Sequence, residues 1–357
     1  MKLTKTTYHL LLRFLAGFIA SLILVSAVAL IPQPSKSLFR TAAGVDPKST
    51  VMTINGQRVD AESYLYWLSY YCNYYRQYLD YMGVTDLGTE LDEGFTAGDY
   101  IAQQADMQTM SMLIQHAMVD EWAQEADVSL TEEDLLDIES QREQTVAQFG
   151  SEAAYQEQLH LLGVNEDFIT RTLSYSYLTA HLQEAYCDPQ NALYPGAEKI
   201  RAYAEANDYL GAFILFIDTC EMDETQKADT KKEMEGYAAS LREAEDVDAT
   251  FAELAEKLGM LSTPLTFAAS AMEPAFVDAL KQISVGDVSG VIATDEGSYV
   301  AIRQEPASDE IVLGMLNETF SARCANAEVT CNDSVYGAIN TIDFYQNFLA
   351  AQSALIQ

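Results

Sequence analysis

The segment MEPAFVDALKQISVGDVSGVIATDEGSYVA, residues 272–301, decides the fold of the second half of this chain. It predicts, in this order, a helix with apolar positions, a Gly-Asp turn, a short strand, a second turn and a final strand. A strand is predicted before it at 209–217, and helices are predicted at 223–243 and 249–258. Together these elements indicate a small α+β domain over residues 208–305.

Four segments of this domain follow one another in a distinctive order. They are GAFILF (211–216), FAELAEKLG (251–259), MEPAF (272–276) and VGDVSGVIATDEGSYVAI (285–302). In sequence and in order, they resemble the motifs of the parvulin-type peptidyl-prolyl isomerases. The resemblance implies that the domain has the parvulin fold and a site that binds proline-containing peptides.

The resemblance also assigns the residues of that site. Met272 and Phe276 match positions that line the proline pocket of the family, although such side chains also commonly fill a domain core. The two central histidines of the family correspond to Phe213 and Tyr299. Phenylalanine forms no hydrogen bond through its side chain, and tyrosine offers a single hydroxyl group. We therefore expect these four residues to contact substrate, and we identify no catalytic residue among them.

Proline isomerisation itself requires little chemistry. Rotation about an X-Pro bond breaks no covalent bond and faces a barrier of about 18–20 kcal/mol. A protein lowers this barrier by binding the twisted amide more tightly than the planar one. No metal and no cofactor are therefore expected. Because the histidine pair is replaced, we expect weak or no isomerase activity. The alternative is an active isomerase that works through an apolar pocket and desolvation alone.

Residues 51–207 are predicted to form a helical domain. It begins with a small hairpin that turns at Asn55-Gly56, and Asp60 is suited to cap the helix that follows. Further helices are predicted at 97–126, 131–149, 151–162 and 165–186. The sequences VMTINGQRVDAESY (51–64) and FGSEAAYQEQLHLLGVNEDFITRTLSYSYLTAHL (149–182) resemble the N-terminal helical chaperone region of the SurA/PrsA family of extracytoplasmic foldases. The resemblance implies that unfolded or newly exported polypeptides bind this domain, and that residues 306–357 pack back on it.

The first long helix of this domain carries a stripe of aromatic residues. Spacings that alternate between three and four place them on one face of the helix. They are Tyr64, Trp67, Tyr71, Tyr74, Tyr78 and Tyr81. Such a stripe packs against neighbouring helices or forms a wet aromatic surface that holds apolar client segments, and the sequence leaves both open. The isolated histidines on the later helices, His116 among them, are assigned surface or structural roles.

Residues 1–31 have the pattern of an export signal. Basic residues precede an uncharged apolar run, residues 14–31, which is about the minimum length for a membrane-spanning helix. Positive charge before the run favours an extracytoplasmic location for the rest of the chain. We predict a single-pass cell-membrane protein anchored through residues 14–31, with secretion after signal cleavage as the alternative. Residues 32–50 are predicted to be a linker.

The composition narrows the classes of function. A formal net charge of -34 repels nucleic acid phosphates and acidic lipids, and it favours solubility or the binding of basic and unfolded clients. No Cys/His spacing suits zinc. Cys324 and Cys331 are close enough in sequence for a small disulfide loop, although their spacing alone does not decide it. The sequence contains no GxSxG or HExxH motif, so no hydrolase is indicated.

The sequence therefore predicts an α+β protein with an all-helical, SurA-like chaperone domain and a small parvulin-like domain behind an N-terminal membrane segment. The predicted function is that of an extracytoplasmic folding factor for unfolded or exported polypeptides. A non-catalytic assembly or structural protein of the cell envelope is a further alternative.

Overall fold

The computed structural model describes residues 38–356, and the chain divides into two compact units. Among the described residues, the first unit comprises residues 38–184 and 320–356, and the second comprises residues 185–319. Helices dominate and the sheets are small, which confirms the predicted combination of helical and α+β parts. The predicted membrane segment, residues 14–31, lies outside the described residues. Within residues 38–356, no helix combines the length and the apolar character that crossing a membrane requires.

The first unit begins with helices and two small sheets. Its elements up to the unit boundary are α1 Leu38–Ala43, β1 Thr50–Ile54, β2 Gln57–Asp60, α2 Ala61–Tyr81, β3 Glu90–Asp92, β4 Phe95–Thr96, α3 Ala97–Glu125, α4 Glu132–Phe149, α5 Glu152–Leu162 and α6 Glu166–Cys187. The predicted hairpin is confirmed, because β1 and β2 pair antiparallel. The first unit therefore contains strands as well as helices, which corrects the prediction of an all-helical chaperone domain.

The rest of the chain forms the second unit and then returns to the first. The next elements are α7 Ala197–Ala206, β5 Tyr209–Asp218, α8 Glu224–Glu243, α9 Val247–Leu258, β6 Leu265–Ala268, α10 Pro274–Lys281, β7 Ile292–Ala293, β8 Gly297–Gln304, α11 Ser308–Ala325, β9 Val329–Cys331 and α12 Thr341–Ile356. Strand β9 pairs antiparallel with β1, which makes a three-stranded sheet in the order β2-β1-β9. Cys324 and Cys331 are both free thiols.

Local signals in the sequence set the helix ends of the first unit. The Asp60 carboxylate accepts a hydrogen bond from the Ser63 N–H at 2.9 Å and caps α2. Thr131 and Asp134 form a capping box at the start of α4. Gly163 ends α5 with φ 77°, and a β-carbon there would lie 2.9 Å from the Phe39 ring. Both the backbone conformation and the close approach of the ring therefore favour glycine at this position.

The core of the first unit joins the two ends of its chain. Phe39 in α1 is completely buried, and its ring centroid lies 6.0 Å from that of Phe344 and 5.5 Å from that of Phe348, both in α12. The prediction that residues 32–50 are a linker is therefore wrong for α1, which packs in the core. Short polar and small residues around it suggested a linker, but Leu38 and Phe39 supply apolar surface that α12 covers.

The second unit is built on a four-stranded antiparallel sheet in the order β6-β5-β8-β7. Strand β5 lies in the centre, and its side chains alternate between two faces. One face packs on α10 and forms a cluster that includes Phe276 and Tyr299. The opposite face packs on α8 and α9 and forms a second cluster around Phe251. This layering places Met272, Phe276 and Tyr299 of the predicted proline site on the α10 face.

We predict that Phe344→Ala destabilises the first unit by about 3–5 kcal/mol, because a buried aromatic side chain leaves a cavity against α1. Leu349→Ala on the same helix should cost less than about 1 kcal/mol, because Leu349 is exposed. Urea unfolding followed by tryptophan fluorescence reports on this unit, since Trp67 and Trp122 both belong to it. Equal losses of unfolding free energy in the two variants would contradict this packing.

Candidate functional site

Three of the four predicted site residues share one face of the second unit's sheet. Phe276 from α10 and Tyr299 from β8 have ring centroids 4.8 Å apart. Met272 precedes α10 and packs against the same cluster. Helix α10 begins at Pro274, and proline is favoured in the first turn of a helix. Met272 lies just before this turn, and Phe276 lies within it.

Phe213 does not join this site, which corrects the sequence prediction. Its ring contacts Phe251 of α9, with centroids 4.8 Å apart, on the opposite face of the sheet. The physical reason is the two-residue period of β5, which places Ile214 and Phe216 on the α10 face instead. Phe216 pairs directly with Tyr299 in the strand register, with ring centroids 4.6 Å apart.

The residues that sequence reasoning missed can be found from the same alternation. Counting every second residue along β5 from Leu210 leads to Ala212, Ile214 and Phe216. Phe267 of β6 completes the aromatic cluster, with its ring centroid 6.1 Å from that of Phe276. Strand β6 has only four residues, which is too short to show a two-residue alternation of apolar and polar side chains. The sequence therefore did not predict the position of Phe267.

The cluster is closed around its central ring. Phe276 has no exposed surface, and Tyr299 is buried. Met272, Phe216 and Phe267 are half-buried and form its accessible margin. Phe276 thus acts as a core residue, and the described conformation offers a proline ring no access to it.

The polar groups near the cluster are few and acidic. Burial raises the pKa of the Tyr299 phenol, and the nearby carboxylates of Glu296 and Glu273 raise it further. Tyr299 therefore stays neutral and offers one hydroxyl group. Cys220 donates its thiol to the Glu296 carbonyl at 3.4 Å, and its interaction with Asp218 raises the pKa of the thiol. A thiol held protonated in this way is a poor nucleophile.

The aromatic stripe of α2 in the first unit is half buried and half exposed. Tyr64 and Trp67 are buried in the core. Tyr74, Tyr78 and Tyr81 expose 56%, 49% and 89% of their surface. Leu79, between Tyr78 and Tyr81, is buried in the core, so the last turns of α2 expose only the face that carries these tyrosines.

These three tyrosines and Met82 form a surface that we call the tyrosine patch. Met82 follows α2 and is also exposed. The segment from 74 to 93 around the patch has the acids Asp80, Asp86, Glu90, Asp92 and Glu93. Arg76 is the one basic residue of that segment, and it pairs with Asp80 at 3.1 Å. The patch therefore combines exposed aromatic rings with a negative surround.

Comparisons with known proteins find solved structures of low sequence identity. No protein-family model matches the chain, and no curated protein matches it. Solved structures similar to it include PrsA from Bacillus subtilis, with 16% identity and a TM-score of 0.23 over 73% of this chain and 87% of that one. The foldase protein PrsA from Lactococcus lactis has 12% identity and a TM-score of 0.30 over 84% and 99% of the two chains. A SurA-like chaperone structure from Campylobacter jejuni has 11% identity and a TM-score of 0.22 over 80% and 99%.

We predict that Phe276→Ala destabilises the second unit by about 3–5 kcal/mol, as expected for a core ring. Met272→Ala should cost about 1 kcal/mol, because this side chain is only half-buried. Hydrogen exchange of the β5 amides reports on this unit. Loss of protection in Phe276→Ala but little change in Met272→Ala is expected. Unchanged exchange in Phe276→Ala would mean that the ring is not a core residue.

Proposed function

We propose that this protein is a folding factor that holds unfolded segments of exported polypeptides on the tyrosine patch of its first unit. The observation that carries the proposal is the exposure of Tyr74, Tyr78 and Tyr81 on a helix whose first aromatic residues, Tyr64 to Trp67, are buried. Exposed rings on a packed helix bind apolar segments with little loss of side-chain entropy. The hydroxyl groups keep the patch compatible with water when no client is bound.

The charge around the patch favours clients with basic residues. Five acids and one paired arginine in the segment 74–93 make its surroundings negative, and the net charge of the whole chain is -34. Long-range attraction of this kind raises the rate of encounter with basic segments and falls with ionic strength. We infer that the preferred clients combine aromatic or aliphatic residues with lysine or arginine.

We further propose that the second unit has weak or no isomerase activity. Phe276 is completely buried, and Phe213 points to the opposite face of the sheet from Tyr299. A single neutral phenol then remains near the cluster, where the family has a histidine pair. Half-buried Met272 and Phe216 can still contact a client, so the unit would add binding surface rather than catalysis.

We place this activity outside the cytoplasm, with residues 14–31 as the membrane anchor. The support is the basic start of the chain and the uncharged apolar run that follows it. No metal or cofactor takes part in the proposed function.

We predict that replacing Tyr74, Tyr78 and Tyr81 together by serine weakens client binding roughly tenfold, because aromatic anchors dominate such surfaces. Light scattering of an aggregating, chemically unfolded basic client measures the effect as lost protection. The stability of the variant should change little, since all three side chains are exposed.

The matched control replaces Leu135 and Leu136 by serine. These residues are also exposed, by 51% and 70%, in the same unit but on α4. The control should protect the client as the wild type does. Equal loss in both variants would mean that any exposed apolar surface suffices, which rejects the tyrosine patch. No suppression by the wild type would instead favour a structural protein of the envelope.

A further inference from the structure

A pocket of about 130 Å³ lies within the first unit, between β2, α2, α3 and α6. Aromatic residues form much of its wall: Trp67, Phe168, Tyr175 and the imidazole of His116. The His116 ring stacks on Tyr175 with centroids 3.8 Å apart, and Trp67 meets it edge-on at 5.6 Å. Because packed helices carry these rings, the shape of the pocket is set before a ligand binds.

Two opposite charges line the same pocket. The Arg171 guanidinium lies over the Phe168 ring and donates one hydrogen bond to Ser63 Oγ at 2.9 Å. Asp120 accepts a hydrogen bond from the Tyr175 hydroxyl at 3.2 Å through Oδ2. A guanidinium has five N–H donors and a carboxylate has two acceptor oxygens. Both groups therefore retain capacity for a ligand.

The His116 imidazole adds a neutral polar group to the wall. Burial, and to a lesser degree the charge of Arg171, lowers the pKa of His116 to about 4. The ring is therefore uncharged at neutral pH. Over residues 38–356, none of the hydrogen bonds involves its ring nitrogens. The imidazole can therefore accept or donate a hydrogen bond to a ligand in the pocket.

The charge balance selects the kind of ligand. The carboxylates of Asp60 and Asp120 would repel a simple anion, and the guanidinium groups of Arg58 and Arg171 would repel a simple cation. All four residues line the pocket. A purely apolar ligand would leave the charges of Asp120 and Arg171 desolvated and unpaired. The described residues include no cluster of histidine, cysteine and acidic side chains suited to a metal ion. A ligand that carries both charges close together meets all of these constraints.

We propose that this pocket binds a small zwitterion, a free α-amino acid with a short neutral side chain. The ligand carboxylate pairs with Arg171, its ammonium group pairs with Asp120, and its side chain contacts the ring of Trp67. The volume agrees with this size, because a protein cavity of about 150 Å³ accommodates benzene. Alanine has as many heavy atoms as benzene. This site is separate from the tyrosine patch and does not depend on the proposed function.

Isothermal titration calorimetry on the full-length chain tests the proposal with alanine, N-acetylalanine and alaninamide as probes. Alanine should bind with a Kd at or below about 1 mM. N-acetylalanine lacks the ammonium group and alaninamide lacks the carboxylate, so each should bind at least about tenfold more weakly. This comparison uses the unaltered protein and does not depend on the folding of a variant.

Two variants locate the site. Arg171→Met and Asp120→Asn should each weaken alanine binding at least about tenfold, since each removes one of the paired charges. Arg201→Met removes an exposed arginine of the second unit and should leave the Kd unchanged. The proposal is overturned if alanine does not bind, if alaninamide or N-acetylalanine binds as tightly as alanine, or if Arg201→Met weakens binding as much as Arg171→Met.

Discussion

The Asp106 carboxylate connects the two chain segments from which the first unit is built. Tyr64 of α2 donates its hydroxyl to one oxygen at 2.6 Å, and Tyr336, beyond β9, donates to the other at 2.9 Å. Burial and the negative charge of Asp106 raise the pKa of Tyr336 to about 12, so this phenol remains a hydrogen-bond donor. Hydrogen bonds to a charged acceptor are stronger than those between neutral groups. This carboxylate therefore fixes the returning segment to the centre of the α2–α3 pair.

The other features of the first unit depend on that return. Strand β9 completes the sheet beside β1, and the aromatic rings of α12 cover α1. With the core completed in this way, α2 is buried on one face from Tyr64 to Leu79. The tyrosine patch then lies on the exposed face of the last turns of this helix, and it does not need to fold in order to bind a client.

A different constraint, the alternation of side chains along β5, governs the second unit. A displacement of one position along a strand moves a side chain to the other face of the sheet. Phe213 therefore packs against Phe251, while Ile214 and Phe216 meet Tyr299. The α10 face consequently contains aromatic and aliphatic side chains with one phenol. Its construction resembles a packed core more than a site that steers a rotating amide.

Local signals in the sequence were sufficient to predict most helices. Asp60, the Thr131–Asp134 pair and Gly163 each end or begin a helix where expected, because capping depends only on neighbouring residues. Strand β9 and α12 could not be placed, since their partners lie more than 200 residues earlier in the chain.

The candidate sites were predicted less completely. Met272, Phe276 and Tyr299 share a face as motif order implied, but the face of Phe213 depended on a strand register that the motif alone did not determine. The pocket at His116 combines residues from four elements, so no short motif marks it.

The central claim is that this protein assists folding by holding clients and not by isomerising proline. It is tested most directly by refolding a client whose slow phase is limited by proline isomerisation, in the presence of the full-length chain. The account predicts a higher yield of native client with an unchanged rate constant for the slow phase. A rate constant that rises with the concentration of the protein, and falls back in Met272→Ala, would contradict it.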